Sequence, residues 1–266
     1  MIPMDTWCPI LQMLVFYDRG PEAGIARINV SMTDTRDLYE TPWPGRRHHS
    51  EQWALLRGIV EERDPRRIGI NVGRVQWAAG GLTHNLYNQL VEALPRRYVD
   101  RLVSAEACAT RWLATLSDEE VALYEHVVDV AHALIAECYS REVIVPGVTT
   151  AQVLEWRYWQ RCADLGLETA FKPSFYPVRR GSTGRLYGGV DPVIRAADLV
   201  RCDVGIRYLG LISDHQEWVY VLRPGEKEAP EGLRALMAEG NRLQDAFMAE
   251  FRRGLTGDQL LHSILG

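Results

Sequence analysis

Two apolar, strand-like runs that each contain an aspartate constrain the fold of this chain more than any other feature. The first, residues 199–206, is apolar and β-branched apart from two charged residues, one of which is Asp203. The second, residues 211–222, is rich in Ile, Val, Trp and Tyr, as strands are. A loop at residues 207–210 falls within the usual hairpin length of about 2–5 residues. The sequence therefore predicts an antiparallel hairpin in which Asp203 is directly opposite Asp214.

Two like charges at opposed positions require a physical explanation. Opposed side chains have Cβ atoms about 4.5–5.5 Å apart, and charge repulsion is screened less in a half-buried sheet than in water. Three explanations are open. The carboxylates share a proton, which raises one pKa, or they hold a divalent cation such as Mn²⁺, Zn²⁺ or Co²⁺. In the third, the loop register differs from the predicted one and one acid is solvated.

The residues around these acids resemble the first metal-binding hairpin of the pita-bread metallopeptidases, in the branch of aminopeptidase P, prolidase and creatinase. The matching order is Asp-x-Gly at residues 203–205, aromatic-x-Gly at residues 208–210 and Ser-Asp at residues 213–214. The family holds two divalent ions on two Asp, one His and two Glu. The resemblance implies that Asp203 and Asp214 are metal ligands and that the cofactor is a pair of Mn, Zn or Co ions.

The same resemblance implies a metal-dependent hydrolase of the Xaa-Pro aminopeptidase or prolidase type. A metal-activated hydroxide would attack the amide bond before a proline, and the expected partner is a peptide or small amide substrate. The family's histidine ligand has no match, because His262 lies in Leu-Leu-His-Ser-Ile and lacks the His-x-x-Gly-His context. No catalytic residue is identifiable, and this chain supplies only two of the ligands.

The order of predicted elements divides the chain into two domains. Strands and helices alternate over residues 1–110, which are similar to the creatinase-like N-terminal α/β domain of the family. Long helices over residues 111–266, the second opened by Thr149 as N-cap, lead into the hairpin as in the catalytic domain. The sequence thus predicts an α/β domain followed by an incomplete α+β pita-bread domain, truncated before the last three metal ligands. A complete protein of this kind is expected to be a homo-oligomer.

A Gly-rich connection over residues 179–189 precedes the hairpin. In many relatives a histidine here contacts substrate, but this stretch contains none. Arg179, Arg180 and Arg185 are candidates for bidentate binding of a substrate carboxylate, and Tyr187 is a candidate hydroxyl donor. The alternative for all four is an ordinary solvated loop.

Two other functions are compatible with the sequence. The arginine-rich connection also suits a creatinase-like hydrolase of a small non-peptide amide, in which the arginines would bind a carboxylate. Alternatively, the chain is an inactive, truncated family member that binds a partner through an exposed sheet edge. Both alternatives keep the predicted fold and change only the chemistry.

Composition excludes several other classes of protein. The 266 residues are 47% hydrophobic and 24% charged, with a net charge of −5. This balance is ordinary for a globular protein and favours neither nucleic acid nor an anionic membrane as partner. No apolar run approaches the length of about 18 residues that spans a membrane, and the first residues lack the basic segment of a signal peptide. Five scattered cysteines indicate reduced, mostly buried thiols, so a cytoplasmic location is expected.

Overall fold

The computed structural model of the chain describes residues 13–31, 35–42, 49–75, 79–179 and 191–266. Two compact units divide between Asp118 and Glu119, a few residues after the domain boundary predicted at residue 110. Each unit has its own cluster of buried apolar side chains. None of the helices in the described ranges is both long enough and apolar enough to cross a membrane.

The first unit combines two strand pairs with helices. Its elements are β1 (Leu14–Asp18), β2 (Ile25–Asn29), α1 (His49–Arg63), β3 (Ile68–Ile70), α2 (His84–Ala93), α3 (Arg96–Val99), β4 (Leu102–Ser104) and α4 (Glu106–Leu113). Strand β1 pairs antiparallel with β2, and β3 pairs parallel with β4. The core lies where α1 and α2 contact these strands, and includes Leu56, Val60 and Leu90.

One predicted strand of the first unit starts later than expected. The sequence predicts a strand over residues 98–104, but Tyr98 lies in α3 and only Leu102–Ser104 is extended. Pro95 precedes this short helix with φ −55°, and its ring fixes φ near the helical value. Tyr98 is 1% exposed, so its side chain belongs to the core although the residue lies in a helix and not in a strand.

The second unit contains the predicted hairpin. Its elements are α5 (Asp118–Cys138), α6 (Ala151–Asp164), β5 (Glu168–Thr169), β6 (Ser174–Val178), β7 (Leu199–Asp203), β8 (Ile206–Tyr208), β9 (Leu211–Ile212), β10 (Trp218–Tyr220), α7 (Glu231–Ala249) and α8 (Gly257–Leu265). The strands form two sheets, in the orders β10-β7-β6 and β5-β8-β9. The N-cap of α6 is Thr150, whose hydroxyl accepts from Val153 N, and not Thr149. The hydroxyl of Thr149 instead donates to Val143 O and accepts from Val145 N, which fixes the preceding turn.

The predicted register of the hairpin is wrong by two residues. Strands β7 to β10 form one continuous hairpin closed by the two-residue turn Leu209 and Gly210. Both turn residues have positive φ, 50° and 88°, as a type I′ turn requires. Arg201 therefore faces Trp218, and by the same register Asp203 faces Gln216, not Asp214. Because side chains alternate with period two, this shift leaves both aspartates on the predicted face.

The two faces of the hairpin differ sharply in polarity. The inner face presents Val200, Cys202, Val204 and Ile206, each at most 1% exposed. These side chains belong to one buried cluster with apolar residues of α5 and α6, so the prediction that Cys202 belongs to the core is confirmed. The outer face carries the two aspartates and is partly open to solvent.

The last two helices have a different environment from α5 and α6. Thr256 and Gln259 form a reciprocal capping box at the start of α8, which begins at Gly257, two residues before the start that the sequence predicts at Gln259. Within the described residues, neither α7 nor α8 buries a side chain. Leu236 and Met248 of α7 are 66% and 67% exposed. These helices therefore present apolar surface.

Candidate functional site

The two aspartates of the hairpin converge on the amide of one glutamine. Gln216 Nε2 donates to Asp203 Oδ1 at 3.2 Å and to Asp214 Oδ1 at 3.0 Å. This geometry places both carboxylates on the outer face, where Asp214 and Gln216 are exposed and the Asp203 side chain is 24% exposed. The amide hydrogens offset part of the repulsion between the acids, since each carboxylate gains a hydrogen-bond donor.

The glycine and the serine of the motif hold the backbone at this site. A Cβ added to Gly205 would lie 2.0 Å from the Ser213 carbonyl oxygen, so only glycine fits where the strands approach so closely. Ser213 is 1% exposed, and its Oγ accepts a hydrogen bond from Ile206 N at 3.0 Å. The sequence order Asp-x-Gly followed by Ser-Asp therefore specifies the backbone on which the carboxylates are presented.

An arginine that the sequence analysis did not select lies beside Asp203. The Nη2 atom of Arg201 is 3.8 Å from Asp203 Oδ2, and the Arg201 side chain is 18% exposed. Its guanidinium lies over the ring of Tyr176 at 5.6 Å and that of Trp218 at 5.9 Å, and Nη1 donates to the Tyr176 hydroxyl. Period-two alternation from Asp203 could have identified Arg201, but its aromatic partners depend on strand pairing.

Two histidines and a glutamate lie on the opposite face of the hairpin. The rings of His132 and His215 are 4.6 Å apart at their centroids, and His132 Nε2 is 3.9 Å from Glu217 Oε1. Burial, followed by the nearby His132, lowers the pKa of His215. Alternation predicts that His215 and Glu217 point away from the aspartates, and the structure places them there. They therefore do not contribute to the aspartate site.

Arg179 is engaged at the base of the hairpin. Its Nε and Nη2 donate to the two carboxylate oxygens of Asp198 at 2.8 and 2.7 Å, and Arg195 N donates to the same carboxylate at 2.7 Å. The Asp198 side chain is 6% exposed, and Ala197 before it has φ +73°. Asp198 thus fixes the backbone that leads into β7. A substrate role for Arg179 stays a prediction.

The other candidate substrate-binding residues, Arg180, Arg185 and Tyr187, lie outside the described residues. The free cysteines of the described ranges are Cys108, which is exposed, and three buried thiols, Cys138, Cys162 and Cys202. Burial raises the pKa of Cys138 to about 12 and that of Cys162 to about 11, which makes both thiols poor nucleophiles at neutral pH. These cysteines do not extend the site.

The donor set at the hairpin fits one side of a divalent-ion site. Two carboxylates that converge on a single small group are the oxygen ligands that hard and borderline cations prefer. In the ranges that the structure describes, no group of three or more His, Cys, Asp and Glu side chains is placed to hold a metal ion. The pair of Asp203 and Asp214 therefore fits part of a ligand set for a divalent ion, which would need further ligands from other residues.

Comparison with solved structures shows the fold that surrounds this site. The chain is similar to an X-Pro aminopeptidase from Thermotoga maritima, with a TM-score of 0.64 and 14% identity, over 97% of this chain and 74% of that one. It is also similar to an Xaa-Pro dipeptidase from Bacillus anthracis, with a TM-score of 0.60 and 18% identity, over 90% of this chain and 62% of that one. A prolidase from Pyrococcus furiosus aligns with a TM-score of 0.53 and 17% identity, over 70% of this chain and 51% of that one.

These likenesses establish the fold and no more, because all three identities are low. The chain spans between about half and three quarters of the length of those three proteins. No family model and no curated protein sequence matches the chain. Structural comparison alone therefore shows that this chain shares the mixed helix-and-strand fold of the pita-bread aminopeptidases P and prolidases.

Proposed function

We propose that this protein is a metal-dependent hydrolase that cleaves the amide bond preceding a proline, with Asp203 and Asp214 as two of its metal ligands. The observation that carries the proposal is the convergence of both carboxylates on the Gln216 amide. The fold shared with Xaa-Pro aminopeptidases and prolidases supports it. No other cluster of polar side chains among the described residues offers a comparable pair of converging carboxylates.

The residues of this chain would hold and orient the reacting groups. Divalent ions at such a site lower the pKa of water and polarise a carbonyl group, which supplies a nucleophile near neutral pH. Asp203 and Asp214 would provide the oxygen ligands from adjacent strands. Gln216, which reaches both, keeps the two carboxylates together before an ion binds. The close approach of Gly205 to the Ser213 carbonyl oxygen sets the spacing of the two strand segments that carry these aspartates.

Metal binding and hydrolysis test the proposal separately. Manganese binding by the 266-residue chain is measured by titration, following free Mn²⁺ by electron paramagnetic resonance. We expect Asp203→Asn and Asp214→Asn each to weaken Mn²⁺ binding by at least about tenfold, because each removes a charged oxygen ligand. Asp245→Asn, which removes the same charge from an exposed position on α7, is the matched control and should leave binding unchanged.

Hydrolysis is then assayed with a proline-containing dipeptide, a longer Xaa-Pro peptide and creatine, each with added Mn²⁺. Cleavage of either peptide that is lost in Asp203→Asn supports the proposal. Cleavage of creatine alone would favour the small-amide hydrolase. The described arginine of the connection, Arg179, is held by Asp198, so carboxylate recognition there would depend on Arg180 and Arg185.

A second candidate function is the binding of a partner by a protein that has no catalytic activity. It is favoured by one observation: no third His, Cys, Asp or Glu joins the two aspartates as a metal-binding group within the described residues. Equal, weak Mn²⁺ binding by wild type, Asp203→Asn and Asp214→Asn, together with no peptide cleavage, would support this alternative and contradict the hydrolase.

A further inference from the structure

Arg201 combines three properties that an ordinary surface arginine lacks. Its side chain is only 18% exposed, although it lies on the outer face of the hairpin. Two aromatic rings, those of Tyr176 on β6 and Trp218 on β10, flank its guanidinium. The Tyr176 hydroxyl accepts a hydrogen bond from Nη1. Side chains of the two neighbouring strands therefore hold the guanidinium in place.

The position of this fixed charge relates it to the proposed metal site. Nη2 stands 3.8 Å from Asp203 Oδ2, which is too long for a hydrogen bond but close enough for strong attraction. Register places Arg201 on the same face as Asp203, Asp214 and Gln216. A guanidinium keeps its positive charge at every accessible pH. A permanent positive charge thus lies beside one of the two proposed ligands.

We infer that Arg201 is a built-in counter-cation of the aspartate pair, which positions Asp203 when no metal is bound and lowers the affinity of the site for a divalent ion. The inference rests on the proposed metal site. Without a nearby positive charge, two carboxylates on one sheet face repel each other, and the metal-free hairpin is less stable. With it, an incoming divalent ion has to bind against the repulsion of the guanidinium. Arg201 is in this sense a positioning residue and not a catalytic one.

Removal of the charge should strengthen metal binding. Arg201→Met keeps the length of an apolar stem between the two rings and deletes only the guanidinium. We expect it to lower the Kd for Mn²⁺ by at least about tenfold at pH 7, because a full positive charge near the ion is lost. A residue whose only role was structural would give the opposite result, since its loss would loosen the hairpin and weaken binding.

Two further variants separate charge from structure. Arg201→Lys retains the positive charge and should keep the Kd within about threefold of wild type. Arg157→Met on α6 removes the same charge from an ion pair with Glu137 and should leave the Kd unchanged. If circular dichroism shows that Arg201→Met does not fold, Arg201→Gln takes its place, because its polar amide also lacks the positive charge.

Each outcome of the titration decides the inference. A lower Kd in Arg201→Met or Arg201→Gln, with Arg201→Lys and Arg157→Met near wild type, supports it. A Kd equal to or higher than that of a wild type that binds Mn²⁺ overturns the inference and leaves the proposed function intact. Absence of Mn²⁺ binding at millimolar concentration in wild type and in both uncharged variants overturns the proposed metal site, and the inference with it.

Discussion

The base and the middle of the hairpin each contain an arginine beside an aspartate, yet the two pairs differ in almost every physical respect. At the base, Arg179 binds both oxygens of Asp198 at 2.7–2.8 Å, and the carboxylate is 6% exposed. In the middle, Arg201 stands 3.8 Å from Asp203, which is 24% exposed. Both oxygens of the first carboxylate accept hydrogen bonds from Arg179 or Arg195 N, whereas Oδ2 of the second has its nearest cation at 3.8 Å and can accept a ligand.

This difference distinguishes a carboxylate that fixes the backbone from one whose oxygens are open to a ligand. Asp198 is fully committed to fixing the chain before β7, because its oxygens receive the Arg179 guanidinium and Arg195 N. Asp203 lies on a backbone fixed by other means, namely the close approach of Gly205 to Ser213. A site that is held by its backbone can leave its charged side chains available, and the following predictions test that division.

The largest effect is expected at the base. Asp198→Ala leaves the guanidinium of Arg179 without its buried carboxylate and should lower the free energy of unfolding by about 3–5 kcal/mol. Urea denaturation followed by circular dichroism measures this loss. A change below about 1 kcal/mol, the value typical of exposed ion pairs, would mean that the two pairs do not differ in the way described.

Gly205→Ala should give the next largest effect. The added methyl group meets a backbone oxygen that cannot rotate away, so we expect a loss of about 2–3 kcal/mol from overpacking. Gly240→Ala on α7 is the matched control, because nothing lies within 4 Å of its added Cβ. That control should stabilise the chain by about 0.5–1 kcal/mol through helix propensity. Equal effects in the two variants would contradict the close approach at Gly205.

A smaller change is expected when the middle pair is broken. Asp203→Asn retains the shape of the side chain and an oxygen that can accept from Gln216. It relieves repulsion with Asp214 and loses the attraction to Arg201, whose Nη2 is 3.8 Å from Asp203 Oδ2. We expect the free energy of unfolding, measured without metal, to change by less than about 1 kcal/mol. A loss as large as that of Asp198→Ala would show that Asp203 is committed to structure too, and would weaken its assignment as a ligand.

The smallest expected effect is the contribution of Asp191, near the base of the hairpin, to the pH dependence of stability. A hydrogen bond from Val193 N, followed by the nearby Arg195, lowers the pKa of Asp191 below its ordinary value of 3.8. Because the folded state favours the charged form, this contribution is present above the unfolded pKa and is lost as the pH falls through the folded pKa. Wild type should therefore lose slightly more stability than Asp191→Asn between pH 5 and about pH 3. Parallel acid-denaturation curves would contradict this role.

Helices α6 and α7 of the second unit show that a sequence pattern does not predict whether an apolar helix face is buried. Both carry apolar residues at helical spacing, and the sequence predicts both helices. Leu154 and Tyr158 of α6 are fully buried, whereas α7 buries no side chain within the described residues. Helical periodicity identifies which face is apolar, but it contains no information on whether another element covers that face.

The sequence alone determined the features that depend on local backbone geometry. Alternation with period two placed Asp203, Asp214 and Gln216 on one face, and it placed Cys202 in the core. This result survived a two-residue error in register, because any even shift keeps the same face outward. Helix N-caps are similarly local, since the hydroxyls of Thr83 and Thr256 each accept from the backbone N–H three residues later.

Only the tertiary structure decided which residues meet across strands. The turn at Leu209 and Gly210 could not be predicted, because leucine rarely adopts the positive φ of 50° found there. The aromatic partner of Arg201 on β6, Tyr176, is distant in sequence, so its approach depends on strand order. Local patterns follow from bonds and hydrogen bonds between near neighbours, whereas partner choice follows from packing of the whole unit, which no short stretch of sequence contains.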